Sequence, residues 1–236
     1  MAFLTPSAAS TLAFEAILAA VAGAFLVGHV AADRALGRSP VEAVRRLGLV
    51  AAGLLAFVGL AAFASMGLEA APMPRLMAWF LASNVAAAAA ALSPLGRTYA
   101  RGLPLGALVA FQAFRLPLEL VLHAWVRQGS IPETMTWNGL NLDILAGALA
   151  LGLAPWCARW RGAAWLFNVA GLGLLFNVAR LAVMSSPLPF AWGVQPPLRL
   201  AFHLPYALIV PVCVGGALFG HLVLTRALLE GGRRGA

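Results

Sequence analysis

Long apolar runs separated by short polar or Gly/Pro-rich connections dominate the chain. They predict an all-α polytopic bundle of seven membrane-spanning helices, at about 12–32, 44–66, 72–92, 103–126, 141–156, 162–184 and 204–229. Prolines punctuate the pattern. Pro74 falls in the first turn of the third span and Pro104 in that of the fourth, where a missing N–H is harmless, and Pro94 with Gly96 closes the third. Asn141 or Asp143 is placed to cap the fifth span, Pro155 lies near its end, and Pro211 predicts a kink in the seventh. Two longer polar stretches remain, 127–141 and 185–203. The second holds Pro187, Pro189, Pro196 and Pro197, too many for an ordinary helix. Its Phe190, Trp192 and Phe202 suit the headgroup zone, so it reads as an interfacial or re-entrant lid. The whole chain, 1–236, is then a single transmembrane domain.

The fourth span breaks its own pattern. Gln112, Arg115, Glu119 and His123 fall within an arc of about 80° on one helical face. Ionisable side chains at membrane depth are costly unless they face protein or water and find partners, so this stripe marks the candidate functional site. Pro117 lies within it and deprives the Ala113 carbonyl of its usual partner, which predicts a kink lined by protein. Span six brings Asn177 and Arg180 to the same half of the bundle, and span one brings Glu15. An ion pair of Arg180 with Glu119 or Glu15 is expected. The loop from Gly129 to Asp143 is expected to fold over this outer pocket and add Glu133, Asn138, Asn141 and Asp143.

Composition and charge set the frame. With 62% apolar and only 10% charged residues, the chain has no room for a sizeable soluble domain. All 16 basic residues are arginine, and without a lysine no Schiff base to retinal can form, which excludes a covalent retinal pigment. Eleven arginines share one side: Arg34, Arg38, Arg45, Arg46, Arg97, Arg101, Arg159, Arg161, Arg226, Arg233 and Arg234. The other side holds Arg75, Arg127 and Arg199. The positive-inside rule then places the N-terminus outside and the C-terminus in the cytoplasm. The arginines lie in short connections rather than in one patch, so nucleic acid is not an expected partner; membrane lipids and other membrane subunits are. Cys157 and Cys213 read as apolar fillers, and the N-terminus lacks the basic region of a cleaved signal peptide.

Other features carry weaker signals. His29, with Asp33 beside it, and His221 are the candidate ligands for a haem or metal; the competing reading is that each histidine only bonds across helices. Gly147, Gly152, Gly171, Gly173 and the alanine run 86–91 suit close helix packing. No internal repeat is evident, and no metal, nucleotide or nucleophile-elbow motif names a chemistry.

The stretch from Phe114 to Gly147, FRLPLELVLHAWVRQGSIPETMTWNGLNLDILAG, resembles an uncharacterised family of bacterial multi-span integral membrane proteins. The resemblance covers about a seventh of the chain and implies a bacterial inner (cytoplasmic) membrane setting, with the stripe and the MTxxGxNxD loop acting together. It brings no activity with it. Three readings of the outer constellation stay open. It is a binding or structural network for a lipidic or small anionic ligand, favoured by the lack of any catalytic motif. Alternatively it is a proton-coupled carrier or channel in which Glu119 carries the proton. In the third reading it is an intramembrane enzyme on a lipid-like substrate, with Glu119 or His123 as acid or base. A metal-assisted form of the last would recruit Glu133, Asp143 or His203.

Overall fold

The computed structural model describes residues 3–232 and is all-helical apart from its connections. Arg233 and Arg234 of the arginine count lie outside the described residues. Helices α1 (Ala8–Ala35), α2 (Pro40–Ser65) and α3 (Met73–Leu92) come first in the chain. Ser7 caps α1 by accepting from the Ser10 N–H, and Ser39 caps α2 with Pro40 in its first turn. Gly37 and Gly67, both at positive φ, follow the ends of α1 and α2, where a side chain would be strained. A short α4 (Pro94–Gly102), capped by Ser93, then leads to α5 (Leu105–Ala110).

Helix α5 runs into α6 (Arg115–Arg127) through a tighter 3-10 segment, Phe111–Phe114, and the three together make one apolar crossing of 23 residues. The tightening falls just before Pro117, where the sequence requires the ladder to rearrange. Helix α7 (Ile144–Leu153) is short and continues as a 3-10 turn, Ala154–Ala158, with Pro155 inside it. Helix α8 (Arg161–Ser185) follows. The chain ends in α9 (Gly215–Gly232), entered through a wide turn of π-helix, Ile209–Val214, that holds Pro211.

Six of these elements are long and apolar enough to cross a membrane; the fifth expected span, 141–156, is instead the shorter helix Ile144–Ala158. The tail helix forms the axis of the bundle: 61% of its apolar window is buried, against none of α2's. It packs on α3, α4, α5 and α8, with α1 against the turn that leads into it, while α2 leans on the outside against α1 and α3.

Helix α7 runs alongside α5 and α6, and this pairing positions the site. Gly106 meets the Ala154 carbonyl, where a Cβ would lie 2.6 Å from it. At Gly147 a Cβ would lie 2.8 Å from the Leu116 Cα, so only glycine admits this approach. The N-terminal end of α7 therefore lies beside the middle of the α5–α6 crossing, not at its end. The segment before it, from Ser130 to Asp143, fills the remaining half of the bundle's depth. Ser130, Ile131, Met135, Thr136, Asn141 and Asp143 are all buried there. Irregular backbone at such depth is tolerated where protein encloses it, and several of this loop's polar groups are paired there, although Ser130 Oγ is buried without a partner among the described residues. The Asn141 N–H donates to the Thr136 carbonyl, the Asn141 side chain donates to the Met135 carbonyl at 3.0 Å, and Asn177 donates to the Leu140 carbonyl at 3.0 Å.

Candidate functional site

Three helices bring one residue each to a common point. Arg115, Gly171 and His221 each stand ten residues from the same end of their crossings, counted from Leu105, Arg161 and back from Gly231. At about 1.5 Å per residue that is roughly 15 Å in, near mid-bundle. Arg115 is 1% exposed and forms a two-point ion pair with Asp143: Nε donates to Oδ2 at 2.8 Å and Nη2 to Oδ1. Its Nη1 donates to the Gly171 carbonyl at 3.3 Å and faces His221 Nε2 at 3.0 Å.

The hydrogen bonds define the state of His221. A guanidinium only donates, so His221 Nε2 accepts and the ring proton sits on Nδ1, which donates to Asn168 Oδ1 at 2.9 Å. Asn168 in turn donates to Thr225 Oγ1 at 2.7 Å, and Thr225 donates to the His221 carbonyl. Gly171 makes room for the arrangement: a Cβ there would run into the His221 ring.

On the other side of Arg115 the network continues through the loop. The Asp143 N–H donates to Asn141 Oδ1 at 3.0 Å, and the Asn141 amide donates to Glu119 Oε1 at 2.8 Å. A connected set of groups thus runs from the half-buried Thr225 through the buried Asn168, His221, Arg115, Asp143 and Asn141 to Glu119. It is not a continuous proton path, since the central guanidinium neither accepts nor releases a proton. Glu119 ends it. Its Oε1 is held by Asn141, whereas Oε2 is buried with no hydrogen-bond partner among the described residues.

A cavity of about 70 Å³ lies against Glu119, walled by apolar side chains including Phe80, Leu118, Leu175, Leu200 and Val214. One water needs about 10–15 Å³ of such space, so the cavity accommodates several small groups. A second cavity of about 60 Å³ adjoins it, sharing Phe80, Ala182, Leu198, Ala201 and Val210 and reaching Leu76, Trp79 and Ser186. The segment 185–203 covers both: Leu188, Leu198 and Leu200 are buried, while Phe190 and Trp192 face outward at 53% and 42% exposure.

Four of the residues expected at the site therefore meet, Arg115, Glu119, Asn141 and Asp143, while Gln112 is buried on the same face but bonds elsewhere. Gln112 donates to the Ala217 carbonyl at 3.0 Å. The others lie apart. His123 is half-buried and stacked on Trp137 at 4.4 Å, and Glu15, Glu133 and Asn138 are exposed. Arg180 is exposed on the outer part of α8, where it donates to Asn177 at 2.9 Å and lies over Trp192. The expected pairing of Arg180 with Glu119 or Glu15 is not formed, because Asp143 reaches Arg115 from the loop and Asn141 takes Glu119. His29 and His221 likewise have separate partners. His29 lies 3.4 Å from Asp33 and beside Tyr99, whereas His221 belongs to the Arg115 network. His203 stacks on Phe3, with Glu69 at 3.6 Å. Among the described residues, no group of three or more His, Cys, Asp or Glu is gathered to hold a metal ion.

Asn168, Gly171 and Thr225 belong to the network although the sequence did not single out the two polar ones. Their signal was faint but present: a second Asn in the apolar span that carries Asn177, and a Thr one turn after His221. No known family, no curated protein and no solved structure matches the chain.

Proposed function

We propose that this membrane-embedded helical protein binds a lipid-like molecule whose polar end carries a hydrogen-bond donor, an ammonium or a hydroxyl, received by Glu119. One observation carries the reading: in a network where every other charge is paired, Glu119 Oε2 is buried, unpartnered and beside a cavity with an apolar wall. An anionic ligand fits less well. Arg115 is taken up by Asp143, and an anion would have to displace that carboxylate while lying near Glu119. The Arg115 network then acts as a frame that fixes the loop and orients Glu119.

In this reading the chain crosses a bacterial inner membrane seven times, N-terminus outside. Helix α7 with its 3-10 continuation spans about 25 Å, and the buried loop before it supplies the rest of the fifth crossing. The arginine asymmetry supports the orientation.

Binding of octylammonium, octanol and octanoate to the protein in nanodiscs tests the proposal. Octylammonium and octanol are expected to bind and octanoate not. Glu119→Gln is expected to weaken octylammonium by roughly 10- to 100-fold, the worth of a charge-assisted hydrogen bond. Preferential octanoate binding refutes the proposal.

A carrier is the second reading, favoured by the two interrupted elements that meet at Glu119: the 3-10 break before Pro117 and the mid-bundle start of α7. Liposome uptake of the bound probe, driven by a pH gradient and lost in Glu119→Gln, separates carriage from binding alone.

A further inference from the structure

A larger cavity lies on the opposite flank, behind α2. It has a volume of about 430 Å³, within the range of small-molecule sites, and touches neither Glu119 nor Arg115. Small residues hollow it: Gly53 on α2, Ala86, Ala87 and Ala90 on α3, and Gly215 and Gly216 at the start of α9. Helix α2 bridges the hollow because it is clamped at both ends. At one end Arg46 reaches Asp33 at 3.0 Å and Thr98 at 3.1 Å. At the other, Trp79 Nε1 donates to the Ala61 carbonyl at 3.1 Å.

Between the clamps, Leu49 to Val58 line the space. Nine residue steps give about 13–14 Å of depth, close to half of a roughly 30 Å hydrocarbon core, so the hollow has the length of one leaflet's chain. Its charged end is strongly biased. The ends of α1, α2 and α4 that Arg46 ties together, with the turn 36–39, carry Arg34, Arg38, Arg45, Arg46 and Arg97 against Asp33 and Glu42, an excess of three positive charges. Asp33 is already shared by Arg38 and Arg46, and Glu42 is bound by Arg38. Arg45, one turn below Leu49, and Arg97, two residues after the lining Leu95, are exposed and have no ion-pair partner among the described residues.

We infer that this hollow holds one acyl chain of an anionic phospholipid, with the phosphate and headgroup received by Arg45 and Arg97. The apolar wall takes the chain and the unpaired arginines select the headgroup charge. Arg46 is spoken for by Asp33 and Thr98; it positions α2 and does not read the lipid.

Native mass spectrometry tests this on the full chain, released from mixed vesicles of phosphatidylglycerol and phosphatidylcholine with identical acyl chains. The wild type is expected to retain one phosphatidylglycerol in preference to phosphatidylcholine. Arg45→Gln with Arg97→Gln is expected to reduce that preference by roughly an order of magnitude or more while the chain site remains occupied. Gly53→Phe, which fills the hollow, is expected to lose the retained lipid of either kind. Equal retention of the two lipids by the wild type overturns the inference without any variant. So does undiminished retention in a folded Gly53→Phe protein.

Discussion

Removing Asp143 leaves Arg115 as a buried charge without its counter-ion. Both side chains are nearly inaccessible, at 2% and 7% exposure, so water cannot replace the carboxylate. In Asp143→Ala the guanidinium keeps only the Gly171 carbonyl and His221 Nε2. Breaking a buried pair by deleting one partner costs about 3–5 kcal/mol, two to more than three orders of magnitude in the folded ratio. Loss of a helix cap adds little, because the Asp143 side chain makes no cap bond to α7. The double variant Arg115→Met with Asp143→Leu removes both charges. It is expected to recover part of the loss and to sit about 1–3 kcal/mol below wild type, the cost of an unsatisfied His221 Nε2. Equilibrium unfolding in mixed detergent and SDS micelles measures all three proteins. A loss under about 1 kcal/mol for Asp143→Ala, as for a solvated pair, refutes the reasoning. A double variant no more stable than the single one does so too.

Three further outcomes follow from the same geometry. Gly171→Ala drives a Cβ into the His221 ring and is expected to cost about 1–3 kcal/mol in the same unfolding assay. Asn141→Ala removes the link between Glu119, the Met135 carbonyl and the Asp143 N–H. It is expected to open the 130–142 segment to protease at least tenfold faster than wild type, since a partnerless buried group costs about 1–3 kcal/mol. Arg180→Ala, at an exposed cation–π contact with Trp192, is expected to cost under about 1 kcal/mol and to leave probe binding unchanged.

The helical stripe was legible because period and chemistry coincide: Gln112, Arg115 and Glu119 share a face at i, i+3 and i+7, and all three are buried. Asn141 and Asp143 were legible as loop polar groups near that face. Their pairing was not, because it depends on how far the loop descends into the bundle. That descent is set by the short length of α7 and the close approach at Gly147, which no local pattern announces. His221 was legible as an isolated polar residue in its span but its partner was not: Arg115 lies on another helix, at the same count of ten residues from the shared end. His123, although on the stripe by period, lies outside the network because Trp137 takes its face. Arg180 was drawn toward the glutamates by shared depth and opposite charge, and neither fixes which way a residue faces around its helix axis.

Isotope-edited infrared difference spectroscopy of the glutamate carboxyl bands tests the central claim that Glu119 is the open group of the site. Addition of octylammonium is expected to change one glutamate carboxyl band. That change is expected to be absent in Glu119→Gln and absent with octanoate in the wild type. A wild-type spectrum unaltered by bound octylammonium, or a change that persists in Glu119→Gln, contradicts the account.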